Sequence, residues 1–525
     1  MPRNTSVPAQ ARTRRRRSAM AAVTILTMTA AGCGTGGEDL PGDSTGTLTI
    51  GIGAKPQSLN PGKNGNGGQN IVQWLAYEPL IRMNSDGSYS PGLATEWGYK
   101  GSGNTSFEMT IRTDAKFADG TAVTAKSVVD TLTYYLKNPG PLSHYMAGIT
   151  SVRAKGDKTV SVSLSQPNPI LPTVFSQVAN WGDIISPAGL ASPGKLSSQM
   201  FGAGAYTMDP AQTVDGDHYT FVKNEHYWNK AAVHYDKVVV KVLPDPNTAL
   251  QTLRGSQIQV DMNATGALAQ QARSAGARTI QGPGFNQTLF LVDRAGKTNK
   301  PLGDLKVRQA LNHAVDRKAI AKALGGAYEA STQISPRGTD GYDKALNDRY
   351  PYDPAKAKRL LAEAGYPDGF SMNVLSTSLL DMDTVAQALA QQFAKIGVRA
   401  DIKSVGTDLN KLISDMSSKR FPVVMFNTGT DMFTNALQNF ASPVSPLNPF
   451  NSRGKEVTSA FDKLARAQES RQRSAAVELN KAVVDNAWFV PVADTPTYIF
   501  TKGITNVGTI GSAGAIDVLK WRPAS

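Results

Sequence analysis

The sequence is poor in the residues that build disulfide frameworks and metal centres. It contains one cysteine, Cys33, and five histidines in 525 residues. A single cysteine excludes a disulfide within the chain. His218, His226 and His234 recur at intervals of eight residues, which suits neither a strand face nor a helix face for one metal ion. The sequence therefore predicts no metal site and no cofactor.

Motifs of nucleotide binding and of hydrolysis are also missing. The glycine-rich stretch Gly62–Gly68 has no Lys-Ser/Thr pair at P-loop spacing, so it is predicted to be a flexible surface loop. No His-Glu-x-x-His is present, and Ile510 stands where a nucleophile elbow around Ser512 needs its first glycine. We therefore do not expect an enzyme.

The net charge of +13 overstates how basic the chain is. Six arginines precede Cys33 without a single acidic residue, which leaves +7 (13 less 6) for the rest of the chain. Such a mild excess of positive charge over nearly 500 residues does not indicate nucleic-acid binding.

The first 32 residues have the pattern of an export signal. A basic segment ends at Arg17, and the 13-residue apolar run Ala19–Ala31 is too short to span a bilayer. The sequence Ala30-Ala31-Gly32-Cys33 resembles a bacterial lipobox, with Ala30 in place of the usual leucine. This resemblance implies a lipoprotein signal peptide over residues 1–32 and lipidation of Cys33. The alternative is an ordinary signal peptide followed by an incidental thiol, and the export route, Sec or twin-arginine, stays open.

Residues 33–47 are predicted to be a flexible tether, because their composition cannot bury apolar area.

The folded part is organised around Gly282–Gly326. Phe285–Val292 is rich in β-forming residues and is predicted to be a strand. Asp304 and Asp316 stand at helix N-cap positions, each followed by apolar residues at helical spacing. Before this stretch the chain is mostly short strands and turns, and after it strands and helices alternate. A second such strand is expected at residues 487–492. The two strands are predicted to connect two lobes.

Several motifs in the chain occur together in one known family. They are Pro91-Gly92-Leu93-Ala94 with Trp97, Phe117-x-Asp119-Gly120, Gly202-x-Gly204-x-Tyr206, Asn224-x-x-Tyr227-Trp228 and Asp304-x-x-Val307-Arg308-x-Ala310. Over residues 47 to 520 the chain resembles the bacterial extracellular solute-binding proteins of the oligopeptide, dipeptide and nickel group. Trp97, Phe117, Tyr206 and Trp228 are expected to be core and turn residues that mark the fold.

The resemblance implies an α/β fold of the class II periplasmic-binding-protein (Venus-flytrap) type, with an extra subdomain in the N-terminal lobe. Lobe I is expected to comprise residues 48–285 and 498–525, with the subdomain inserted at about 70–172. Lobe II is expected to comprise residues 286–497.

The resemblance also implies a site. In peptide-binding members, a short run after a strand of the second lobe pairs with the peptide backbone, and a nearby aspartate meets the ligand's α-ammonium. Here the run falls on Asn427, Thr428 and Gly429, and the aspartate on Asp431. The opposite wall is expected to be the glycine-rich loop Asn64, Gly65, Asn66 and Gly67. The alternative for Asp431 is a solvated loop residue.

The resulting prediction is a monomeric lipoprotein that captures peptides for an ABC importer. It would be held on the extracytoplasmic face of the cell membrane by its lipid anchor, at the cell surface or in the periplasm, with the ABC permease and ATPase subunits as partners. Binding of nickel chelates, sugars or haem by the same fold stays open. So does a different class of protein, a secreted hydrolase or a sensor lipoprotein.

Overall fold

The computed structural model describes residues 46–524, with the exception of 66, 147, 326, 430, 442–446 and 511–513. For residues 409 and 410 it describes only the backbone. The predicted signal peptide and Cys33 lie outside the described residues. No helix in the described part of the chain is long and apolar enough to cross a membrane.

The strands are numbered in chain order. They are β1 Thr47–Ile52, β2 Ile81–Met83, β3 Tyr89–Pro91, β4 Ala94–Tyr99, β5 Ser106–Ile111, β6 Ile149–Lys155, β7 Thr159–Leu164, β8 Tyr206–Met208, β9 His218–Lys223, β10 Lys237–Val242, β11 Val260–Asp261, β12 Arg278–Leu291, β13 Glu329–Ala330, β14 Phe370–Ser376, β15 Val398–Ser404, β16 Val423–Thr428, β17 Phe489–Thr501, β18 Ile504–Thr505 and β19 Arg522–Pro523.

The helices are numbered in the same way. They are α1 Ile71–Ala76, α2 Ala125–Lys137, α3 Leu171–Val174, α4 Pro187–Ala191, α5 Pro246–Arg254, α6 Ala269–Ser274, α7 Leu305–His313, α8 Arg317–Leu324, α9 Pro354–Glu363, α10 Met382–Ala394, α11 Leu409–Ser417, α12 Met432–Ala436, α13 Lys455–Ala465 and α14 Glu469–Asp485.

One mixed sheet runs through the molecule. Its described strands follow the order β15-β14-β16-β12-β17-β11-β1-β10-β9-β8, and β13 pairs with β17. The long strands β12 and β17 lie at its centre and pair antiparallel from Arg278–Thr501 to Phe290–Phe489. Strands from the first half of the chain lie on one side of this pair, and β14, β15 and β16 lie on the other. The predicted pair of crossing strands is therefore present.

A separate four-stranded sheet, β4-β5-β7-β6, is formed by residues between β1 and β8 in sequence. Helix α2 packs against β6 and β7 of this sheet. Thr124 caps α2 and exchanges hydrogen bonds with Ser127, a capping box that satisfies the first amide groups of the helix.

The two faces of the central strands pack into two different hydrophobic cores. In β12, Phe290 belongs to the larger core, whereas Leu289 and Leu291 belong to the smaller one, together with Val307 of α7 and Val385 of α10. Successive side chains of a strand point to opposite faces, so one strand contributes to both cores. The larger core contains residues from both halves of the chain and so joins them.

The predicted N-caps are confirmed. The side chain of Asp304 accepts a hydrogen bond from the Lys306 amide at 2.7 Å, and that of Asp316 from the Ala319 amide at 3.0 Å. Arg308 donates to the backbone oxygens of Leu302 and Asn486.

Two predicted segments differ from the structure. Strand β12 begins at Arg278, seven residues before Phe285, because its first part pairs with the end of β17. The loop Gly62–Gly68 is only partly at the surface, since the Asn64 side chain is 2% exposed and bonds both the amide and the carbonyl of Ser58.

The lobe boundaries 48–285 with 498–525, and 286–497, stay a prediction, as does the subdomain at about 70–172. One contact supports assigning the C-terminal segment to lobe I. Arg82 Nη1 lies 3.2 Å from Asp517 Oδ1.

Candidate functional site

A cavity of about 820 Å³ lies beside the central strands, between residues from the two halves of the chain. Pro283, within the irregular part of β12, and Thr509, after β18, line its base. A cavity of this size is large enough for a small organic ligand or a short peptide.

The N-terminal wall of the cavity is formed by Met83, Tyr89, Trp97, Tyr145 and Thr173. The hydroxyl groups of Tyr89 and Thr173 are 2.7 Å apart and form a hydrogen bond, which fixes the tyrosine ring on the wall. This wall offers aromatic faces and a few hydroxyl groups to a ligand.

The C-terminal wall includes Gly338, Thr339, Asp340, Asp431 and Glu469. Asp431 precedes α12, and its Oδ1 accepts a hydrogen bond from the Thr434 amide at 2.9 Å. Asp340 Oδ1 accepts one from the Met432 amide at 2.8 Å. Both carboxylates are therefore fixed by the first turn of the same short helix.

Burial and mutual repulsion alter the acidity of these groups. Burial, reinforced by the charge of Asp431, raises the pKa of Asp340 to about 7. Burial also raises the pKa of Asp431. On the opposite wall, burial and the charges of Asp431, Asp340 and Glu469 raise the pKa of the Tyr89 hydroxyl. The tyrosine and the carboxylates of the two walls therefore act on each other across the cavity.

The predicted backbone run lies next to this site. Asn427 and Thr428 are at the end of β16 and pair with Gln287 and Asn286 of β12. The Thr428 hydroxyl donates to Ile334 O at 2.7 Å, which holds the segment before Asp340 against β16. At Gly429 a Cβ would lie 2.4 Å from the Phe285 ring, so a larger residue would displace that ring.

The structure does not bring the predicted opposite wall to this cavity. Asn64, Gly65 and Gly67 do not line it, and Asn66 lies outside the described residues. The Asn64 side chain is used within its own turn, and Gly65 O accepts a hydrogen bond from Asn70. Tyr89, Trp97 and Thr173 line this cavity from the first half of the chain, and a ligand-binding role for the loop stays a prediction.

Sequence reasoning missed several residues of the site. Trp97 was expected in the core, but it is only partly buried and lines the cavity. Phe117 and Tyr206 are buried as expected. Asp340, in the sequence Gly338-Thr339-Asp340-Gly341, carries only the signal of a turn, and nothing in its neighbourhood along the chain indicates that it lies beside Asp431.

Hydrogen bonds join the two halves of the chain near the cavity. Asn104 Nδ2 donates to Ala465 O at 3.0 Å and to Ala467 O at 2.9 Å, between α13 and α14. Gln472 Nε2 donates to Pro169 O at 3.0 Å. These contacts are available only while the two halves lie close together.

Within the described residues, no group of three or more His, Cys, Asp or Glu side chains could hold a metal ion. His313 is buried, with 3% of its surface exposed, and its Nδ1 lies 2.9 Å from Pro351 O.

Comparison with known proteins places this geometry in a family. Residues 88–448 match the family model of bacterial extracellular solute-binding proteins, family 5 Middle. The chain is 27% identical to the glutathione-binding protein GsiB of Salmonella typhimurium over 456 residues, which cover 84% of this chain and 86% of GsiB.

Solved structures show the same fold. HbpA2 from Haemophilus parasuis superimposes with a TM-score of 0.79 at 21% identity, covering 91% of this chain and all of the other. The periplasmic binding protein DppA from Helicobacter pylori, in complex with the peptide STSA, gives 0.71 at 19% identity, covering 91% and 98%. The fold is thus the two-lobed α/β fold of periplasmic binding proteins, and the chain belongs to the bacterial extracellular solute-binding proteins of family 5.

Proposed function

We propose that this protein captures peptides between its two lobes and delivers them to an ABC importer. The observation that carries the proposal is the position of Asp431, on the wall of the 820 Å³ cavity and three residues after the end of β16. A carboxylate at this place can bind the α-ammonium of a ligand whose backbone lies along Asn427, Thr428 and Gly429. Charge-assisted hydrogen bonds of this kind are stronger than neutral ones.

Peptide binding through the main chain explains how one site can take ligands of different sequence. An extended peptide added to a strand forms backbone hydrogen bonds that do not depend on its side chains. The side chains then fill the cavity, where Tyr89 and Trp97 offer aromatic contact. Two similar proteins support peptides as the ligand class, since DppA is in complex with a peptide and GsiB is named as a glutathione-binding protein.

Delivery requires that the protein respond to its ligand. A ligand that touches both walls gains its full set of contacts only when the lobes are together, so it shifts the population towards the closed state. Hydrogen bonds between the two halves, such as those of Asn104 and Gln472, would contribute to the stability of a closed state.

The remaining parts of the proposal concern the setting of the protein. Cys33 would carry the lipid anchor that holds the protein on the extracytoplasmic face of the membrane. The ABC permease and ATPase subunits would be its partners, and the protein would act as a monomer.

The test is a thermal-shift screen of the purified mature chain with di-, tri- and tetrapeptides, glutathione, sugars, haem and nickel chelates. A ligand at a hundredfold excess over its Kd should stabilise the folded state by about 2.7 kcal/mol. Stabilisation by peptides supports the proposal. Stabilisation by sugars, haem or chelates with none by peptides would assign the site to another ligand class.

A further inference from the structure

The cavity is strongly acidic in a protein that is basic as a whole. From Cys33 onward the chain carries a formal net charge of +7, which is +13 less the six arginines that precede it. The described residues that line the cavity nevertheless include five acidic side chains and one basic one, namely Asp86, Glu96, Asp340, Asp431, Glu469 and Arg473. Acidic residues concentrated in a cleft focus an electrostatic field that attracts cations.

These carboxylates occupy two levels. Asp340 and Asp431 are half-buried, and each accepts an amide hydrogen bond from α12. Asp86, Glu96 and Glu469 are exposed at the rim. The inner pair is therefore fixed in place, whereas the outer three contribute mainly to the field at the entrance.

At a pH where Asp340 is ionised, a single ammonium group cannot neutralise the inner pair. If the α-ammonium of a peptide meets Asp431, the carboxylate of Asp340 still lies beside it in a closed cavity. Its hydrogen bond from the Met432 amide offsets only part of the cost of removing that charge from water. A ligand with a second positive group removes this cost, and one with a negative side chain increases it.

We infer that the site prefers cationic peptides, in which a lysine or arginine side chain near the N-terminus pairs with Asp340 while the α-ammonium pairs with Asp431. The aliphatic part of such a side chain can lie on the rings of Tyr89 and Trp97, which also attract a cation through their π faces. This inference rests on the proposed function and defines the class of peptide that the site takes.

The acidity of the inner pair gives the preference a pH dependence. Because burial and Asp431 raise the pKa of Asp340 to about 7, its carboxyl group gains a proton as the pH falls through neutrality. The other described charged or titratable groups that line the cavity are Asp431, Glu469 and Arg473 from the second half of the chain, and Asp86, Tyr89, Glu96 and Tyr145 from the first. A protonated Asp340 no longer attracts a cation, so the preference should weaken when the pH is lowered from about 8 to about 5.5.

The test compares three tripeptides, Ala-Lys-Ala, Ala-Ala-Ala and Ala-Glu-Ala, by calorimetry on the full mature chain. We expect Ala-Lys-Ala to bind at least about tenfold more tightly than Ala-Ala-Ala, and Ala-Glu-Ala to bind most weakly. In D340N the ratio of the first two affinities should fall towards one, because asparagine keeps the hydrogen bond to Met432 and loses the charge.

Asp408 provides the matched control. It also accepts an amide hydrogen bond at the start of a helix, from Lys411 at 2.9 Å, but it does not line the cavity. D408N should keep the wild-type ratio. Equal affinities of the three peptides for the wild type would overturn the inference and leave the proposed function intact. Failure of all three to bind, with another ligand class binding instead, would overturn the proposed function.

Discussion

At the scale of single residues, the environment of Asp431 decides what it can bind. One of its oxygens accepts the Thr434 amide, and Asp340 and Tyr89 face the same cavity. Burial raises its pKa, so the charged form is costly when the cavity holds no cation. A ligand ammonium offsets that cost and is bound correspondingly well.

Removing the charge of Asp431 should weaken peptide binding by about 2–5 kcal/mol, because the ligand ammonium cannot turn to water in a closed cavity. In D431N we expect the affinity to fall by about thirtyfold to a few thousandfold. Asparagine also caps helices well, so α12 should be preserved. Calorimetry with a free-amine peptide and its N-acetylated form measures the effect.

Acetylation should cost the wild type about as much as the mutation does, and cost the mutant little more, because both changes delete the same interaction. D408N serves again as the control. If the wild type binds the free and the acetylated peptide equally well, Asp431 does not meet the ammonium.

At the scale of elements, the irregular pairing of β12 and β17 lies where the two halves of the chain join. The register shifts between Gly282 and Phe285 and again between Gln287 and Thr288. Such bulges bend a strand and re-aim its side chains. Here the first irregularity turns Pro283 towards the cavity. Gly284 lies within this first irregularity of β12, and a Cβ at that position would lie 1.8 Å from Thr495 O of β17.

A side chain at position 284 should therefore force the two central strands apart. We expect G284A to lower the free energy of unfolding by about 1–3 kcal/mol, which a thermal or urea unfolding curve would measure. Gly508 offers the control, since nothing lies within 4 Å of a Cβ built there. G508A should change the stability by less than about 0.5 kcal/mol. Equal effects of the two substitutions would show that the close approach of the strands at Gly284 is not needed.

At the scale of the whole molecule, one continuous sheet contains strands from both halves of the chain, and residues from both halves line the cavity. Strands β12 and β17 lie between the strands of the two halves, so a change in their twist would move one wall relative to the other. Away from the sheet, the described halves meet through side-chain to backbone bonds such as those of Asn104 and Gln472. The larger hydrophobic core also contains buried side chains from both halves, so apolar contacts join them as well.

The position of the molecule in the cell is predicted to depend on Cys33. In C33S the acyl chains have no attachment site, so the protein should move from the membrane fraction to the soluble fraction or the medium. Fractionation of cells followed by immunoblotting measures this. G37S, a change in the same tether, should leave the protein on the membrane. A C33S variant that stays in the membrane fraction would rule out a lipid anchor at this position.

The sequence alone determined the elements and the family. Asp304, Asp316 and Thr124 mark helix starts through short-range hydrogen bonds, and the β-rich run at Phe285 marks a central strand. These signals are local, because caps and periodicity involve residues only a few positions apart. The order of the family motifs along the chain was sufficient to predict the two-lobed fold.

The tertiary structure decided the composition of the site. Asp340 and Asp431 are 91 positions apart in sequence, and Tyr89 is more than 240 positions from either. Only the packing of the 331–341 segment on β16 and α12 brings the two carboxylates together, and only the approach of the two halves places Tyr89 and Trp97 opposite them. Local patterns carry no information on such neighbours. The same limit applies to the loop at Asn64, which does not line this cavity, whereas Tyr89, Trp97 and Thr173 do.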